Sequence, residues 1–137
     1  MKKFTNIVML FLFLAAVYIF YIEMIPAKIS AEELAVAYNY DKLSADKKFL
    51  NKEIELTGKV KAFYKLLNTR FVLELQNEGK GENIICFFNK KEDETKARQL
   101  QENDDVIIKG KCVGMDEYNF INGVKIDVSS LRKGTKK

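Results

Sequence analysis

Basic and aromatic residues recur at alternate positions in several stretches, and that spacing is the one pattern in the chain suited to binding chemistry. Lys59, Lys61 and Phe63 are two apart, as are Lys109 and Lys111, and Arg70 and Phe87 sit in stretches that alternate in the same way. In a strand, side chains two apart share a face, so these residues would line one outer surface with Val72 and Ile85. Basic groups that track a backbone, with rings for stacking, are what a site for a single-stranded nucleic acid needs. A solvated sheet face is the plainer reading of the same residues, because Glu55 and Glu74 fall on that surface and dilute its charge.

Other chemistry is poorly supplied. The 137 residues include no His, which removes His-based catalytic triads and His metal sites together. Two Cys cannot form a four-thiolate zinc centre. Ser30, Ser44, Ser129 and Ser130 have no Lys partner at a recognisable spacing, and neither a Gly-rich phosphate loop nor a nucleophile elbow is present. Asp104-Asp105 and Asp116-Glu117 lack the spaced oxygen ligands of a calcium loop and read as turn residues. No catalytic centre, metal site or cofactor is expected. Cys86 and Cys112 fall at inward strand positions. Outside the cytoplasm an even Cys count permits a disulfide; two buried thiols acting as small apolar residues are the alternative.

The elements that would position these residues begin after residue 27. Lys2 and Lys3 precede an uncharged run from Phe4 to Ile22 in which Thr5 and Asn6 are the polar residues. This is the pattern of a secretory signal or a signal anchor, and residues 4–22 are long enough to cross a bilayer. Ala27, with Ile25 two places before it, is a poor small-x-small cleavage site, which favours the anchor. No Cys follows the run, so a lipoprotein is not expected. Lys2 and Lys3 would stay in the cytoplasm, placing the rest of the chain at the cell membrane or envelope, outside the cytoplasm, or secreted if the leader is cleaved.

Ser30-Ala31-Glu32-Glu33 is a capping box that opens a helical stretch over 30–51, broken near Asn39-Tyr40-Asp41. From Glu53 the apolar period changes to two, with Ile54, Leu56, Gly58, Val60 and Ala62 on the inner face and Phe63 with the lysines on the outer. Further strands are predicted at Arg70–Gln76, Asn83–Phe88, Asp105–Val113 and Tyr118–Val128, with turns at Asn68-Thr69 and over 77–82. A surface helix is predicted over 89–102, with Asn89 as its N-cap. The domain is therefore 28–131, after a leader over 1–27 and before a basic, flexible tail over 132–137. Three strands, a helix and two strands is the chain order of the OB-fold, a five-stranded Greek-key barrel, here mainly β with a helical lead-in; an open sheet is the alternative.

The segments Ile29–Tyr38, Ala45-Asp46-Lys47-Lys48-Phe49, Glu55-Leu56-Thr57-Gly58-Lys59-Val60, Ile85-Cys86-Phe87-Phe88, and Ile108-Lys109-Gly110-Lys111-Cys112-Val113-Gly114 form a recognisable set. Together they resemble the tRNA_anti-like family of small exported bacterial proteins. The resemblance spans about Ile29 to Leu131 and implies an OB-fold with a helical lead-in and an envelope location. Members often carry a further Cys near the chain end, where this chain has Val128.

The formal charge of +4 is an end effect. Residues 28–131 hold 17 basic and 18 acidic side chains. A near-neutral exported domain fits recognition of an envelope protein or peptide, with oligonucleotide or oligosaccharide binding through the barrel face, or a structural role, as alternatives. Export argues against nucleic acid.

Overall fold

A computed structural model describes residues 2–66, 70–115 and 122–134 of the chain. Among them run α1 (Lys2–Met24), β1 (Ala27–Ser30), α2 (Ala31–Tyr40), α3 (Lys42–Phe49), β2 (Glu53–Leu66), β3 (Arg70–Leu75), β4 (Ile84–Phe88), α4 (Lys91–Arg98), β5 (Asp105–Met115) and β6 (Val124–Lys133). The Asn68-Thr69 turn, Asp116-Glu117 and the start of the strand expected from Tyr118 lie outside the described residues.

The six strands form one sheet in the order β1-β2-β3-β4-β6-β5, and β2 also pairs with β5. The ladder through β2, β3, β4, β6 and β5 thus returns to β2. Five strands were expected from the pattern, and β1 is the addition: it pairs in parallel with β2, from Ala27↔Ile54 to Ser30↔Thr57. Four residues are too few for alternation to register in a sequence. The sheet therefore starts at Ala27, inside the stretch read as leader. It also ends later than expected, because Arg132 and Lys133 pair with Ile107 and Val106 rather than belonging to a tail.

The lead-in helices are set by their caps. Ser30 Oγ accepts from the Glu33 amide at 3.1 Å and starts α2. The Asp41 amide donates to Ala37 O and closes that helix, while its Oδ1 accepts from Leu43 and Ser44 amides and opens α3. One residue thus ends one helix and begins the next, which is the break expected near Asn39–Asp41. The start of α4 departs from expectation. Its N-cap is Lys90, without a side-chain cap bond, because the Asn89 carboxamide instead accepts from Arg70 Nη2 at 2.7 Å.

Apolar residues at alternate strand positions point inside the circuit, among them Ile54, Leu56, Leu73, Leu75, Cys86, Ile108, Cys112 and Ile126. Leu34, Ala35, Tyr38, Ala45 and Phe49 cover the core from α2 and α3, and Ala97 packs against it from α4. Close approach of backbones at two glycines makes this possible. A Cβ on Gly58 would lie 3.0 Å from the Ala31 Cβ, so the bare strand admits the first turn of α2. At Gly110 a Cβ would run into the Asp127 carbonyl of β6, beside an irregularity in the β5–β6 register.

Gly110→Ala is therefore expected to lower stability by about 1–3 kcal/mol through forced displacement of β6. Lys111→Ala, one residue on and exposed, should stay within about 0.5 kcal/mol of the parent. Denaturant midpoints of the two variants measure the difference, and equal midpoints would contradict the close approach.

Candidate functional site

The outer face of the sheet divides at a bulge in β2. Val60 pairs with Leu75 and Ala62 with Glu74, so one extra residue stands in β2 and the alternation reverses after it. Before the bulge, Glu55, Thr57 and Lys59 face outward. After it, Tyr64 and Leu66 do so, where they pack on a second apolar cluster of Val72, Ile85 and Phe87 that is separate from the core.

Phe63, expected on the outer face, is therefore turned inward. Its ring stacks on Phe71 with centroids 5.3 Å apart and meets the edge of Phe88 at 6.2 Å. Arg98 of α4 lies 4.4 Å over the Phe71 ring. These rings hold the end of the sheet to α4. Phe87 does lie on the outer face, but it is buried, and the Arg70 guanidinium sits 5.1 Å over its ring.

The lysines do not gather into one basic patch. Lys61 Nζ is 3.3 Å from Glu74 Oε1. Lys59 stands opposite Asp105, Lys109 opposite Glu55, and Lys111 opposite both Glu53 and Asp127. Directly opposed residues in antiparallel strands share a face, so Lys59, Lys109 and Lys111 each share a face with a carboxylate, and Lys61 is ion-paired with one. Glu55 is the most enclosed of these acids. Its Oε1 is 3.2 Å from Arg132 and its Oε2 3.9 Å from Lys28, which ties β1 and β6 to β2.

Residues the sequence pattern did not single out complete this face. Tyr64 was hidden by the bulge, and its hydroxyl is pushed above the usual phenol range by burial and by the neighbouring Glu74 carboxylate. Lys125 of β6 is buried beside Ile85 and is engaged in an interaction of its own. Its place between Val124 and Ile126 marks it as outward-facing, but alternation alone cannot reveal that an outward lysine is covered. Among the described residues no group of three Cys, Asp or Glu side chains is placed to hold a metal ion.

Cys86 and Cys112 are free, buried thiols. Both stand across from Ile126, Cys86 on one side of β6 and Cys112 on the other. Two strand spacings, about 9–10 Å, lie between their backbones. A disulfide needs Cα atoms within about 7 Å, so the two act as small core residues instead. Burial pushes the Cys86 thiol far above its ordinary range. Burial also raises Cys112, partly offset by its contact with the Tyr38 hydroxyl at 3.6 Å. The same hydroxyl donates to Asp46 Oδ1 at 3.0 Å, so a polar link joins α2, α3 and β5.

Strand order, register and helical lead-in together define a mainly β domain of OB-fold type. The chain belongs to the tRNA_anti-like family, which matches residues 22–125. Among solved structures, the OBody AM3L09, in its complex with hen egg-white lysozyme, is 19% identical, with a TM-score of 0.53 over 66% of this chain and 88% of that one. A putative aspartyl-tRNA synthetase from Leishmania major Friedlin is 10% identical, with a TM-score of 0.55 over 83% of this chain and 22% of that one. Asparaginyl-tRNA synthetase from Pyrococcus horikoshii is 18% identical, with a TM-score of 0.51 over 80% and 23%. The chain spans under a quarter of either synthetase, and at these identities the likeness is one of fold. No curated protein is similar enough in sequence to count as a relative.

The thiols give a test in two parts. Denatured, unreduced protein should react with two equivalents of a thiol reagent, one for each Cys. In the folded state Cys86 keeps its proton at pH values where the unfolded chain loses it. Its stabilising contribution is thus whole below the unfolded thiol pKa of about 8.5 and declines as pH rises above it. Unfolding free energy should fall between about pH 8.5 and 10.5, and Cys86→Ala should flatten that slope by about 1.4 kcal/mol per pH unit. An unchanged slope would show that Cys86 does not titrate on unfolding.

Proposed function

We propose that this protein is a membrane-tethered binding module, displayed outside the cytoplasm, that recognises an envelope protein or peptide. On this reading β2 to β6 form a five-stranded OB barrel, β1 is an added strand, and α1 is an uncleaved anchor. The observation that carries the choice of ligand is the alternation of charge on the outer face. Lys61 is paired with Glu74, and Lys59, Lys109 and Lys111 stand opposite acids, so the surface interleaves both charges rather than presenting the continuous positive field that a polyanion follows. Phe63 is inside and Phe87 is capped by Arg70, which leaves little free ring face for stacked bases. Mixed charges around an apolar centre of Tyr64, Leu66 and Phe87 suit a polypeptide, with Arg70 at the margin. The OBody complex with lysozyme illustrates that a barrel of this type can take a protein ligand.

The anchor is supported by α1, whose stretch Lys2–Ile22 is long and apolar enough to cross a membrane. Cleavage after Ala27 would remove a residue that pairs with Ile54 in the sheet. No reaction is assigned on this reading.

Three measurements test this reading. Purified full-length protein should show no binding to single-stranded DNA or RNA at low salt; binding that weakens steeply with added salt would favour the nucleic-acid alternative. Membrane-bound protein should retain the full 15.8 kDa mass rather than a shortened one. A Lys59→Cys variant, whose new thiol is exposed on β2, should react in intact spheroplasts with a membrane-impermeant maleimide. Labelling only after lysis would place the domain in the cytoplasm and overturn the proposal.

A further inference from the structure

At its C-terminal end α1 borders a cleft with the folded domain. The cleft, of about 550 Å³, is lined on one side by Ile22, Met24, Ile25 and Pro26, and on the other by Lys48, Asn51, Lys52 and Glu53. The connector is short: Met24 ends α1 and Ala27 begins β1, with Ile25 and Pro26 between them. The Ile25 amide still donates to Ile22 O, and Pro26 fixes its own φ, so the domain hangs on little free chain.

This geometry sets a depth. The uncharged residues 4–22 rise about 28 Å as a helix, close to the roughly 30 Å of a bilayer's hydrocarbon core. Ile22 then lies at the hydrocarbon boundary, and the head-group layer occupies roughly the next 5–7 Å. Lys48 and Lys52 share a cleft with Ile22 and so reach that layer.

The electrostatics of the cleft suit an anion. Lys47 and Lys48 close α3, and among the described residues neither has a carboxylate within 4 Å. Lys52 Nζ donates to the Lys47 carbonyl at 3.3 Å, which holds Lys52 against the end of α3, beside Lys48 in the cleft lining. Among the described residues the acid that lines the cleft is Glu53, whose Oε1 accepts from Ser129 Oγ at 2.9 Å. Lys28 is drawn to Glu55 instead. Three exposed ammonium groups thus face a layer whose anionic component is the lipid phosphate.

We propose that this cleft seats the phosphate head groups of anionic lipids, held by Lys48 and Lys52 with Lys47 at the rim, so that the α3 end of the domain rests on the membrane. The inference depends on α1 remaining as an anchor, and the two ideas fail in different ways.

The test uses the full chain in vesicles of phosphatidylcholine alone or with phosphatidylglycerol, and follows acetylation of each lysine by mass spectrometry. Co-flotation with both vesicles is the anchor's own readout; loss of flotation would overturn the anchor, and with it this proposal. In floated protein, acetylation of Lys47, Lys48 and Lys52 should drop about fivefold in phosphatidylglycerol vesicles relative to phosphatidylcholine, and recover at high salt. Lys59 and Lys109, on the sheet face, should react equally in both. Equal acetylation of the cleft lysines in the two vesicles, or the same protection from inorganic phosphate in detergent, would overturn lipid seating while leaving the anchor intact. A Lys48→Gln/Lys52→Gln variant, altered at exposed positions, should float normally and lose the difference at Lys47.

Discussion

Along its first half β2 is hydrogen-bonded on both sides, to β1 and to β5; along its second half it is bonded to β3. A strand can change partners in this way only if it coils, because the neighbours approach from different directions around a closed circuit. Gly58 and the bulge at Val60/Ala62 sit where the change occurs. Gly58 also admits the first turn of α2, so the bend that closes the sheet is also the seat of the helical lead-in. Disturbing the bend would disturb sheet closure, helix docking and the division of the outer face together.

The bulge also decides what the surface can be. Because the alternation reverses after Val60, the aromatic residue that would have joined the lysines turns into the end of the core and meets Phe71 and Phe88. Tyr64 takes the outer position and meets Val72, Ile85 and Phe87 instead. The lysines left outside are opposed by acids on neighbouring strands, and Glu55 joins Lys28 and Arg132. An interleaved surface of this kind gains orientation and partner discrimination more than raw attraction.

Much of this fold can be read from the chain. Ser30 and Asp41 act through their nearest neighbours, and the strands that build the circuit alternate plainly between turns rich in Asn and Gly. What escapes sequence reading depends on more distant contacts. Nothing in Lys59-Val60-Lys61-Ala62-Phe63 marks a bulge, so Phe63 is assigned to the wrong face by any strict period of two. Ala27–Ser30 becomes a strand only because β2 offers an edge beside it. Asn89 is a good N-cap by type, yet Arg70 claims its side chain from another strand. The lysine set was legible as exposed residues, but their acid partners follow from register, which one residue of slippage would change.

The junction between α1 and the sheet has a mechanical side. Helix α1 continues through Ile25 and Pro26 into β1, and β1 runs parallel to β2 through four register pairs. A pull exerted through α1 would therefore act along the strand axis. It loads these hydrogen bonds and the Lys28–Glu55 contact together, in shear, rather than peeling them apart one by one. A load on the domain would then be resisted by the strand that joins it to α1.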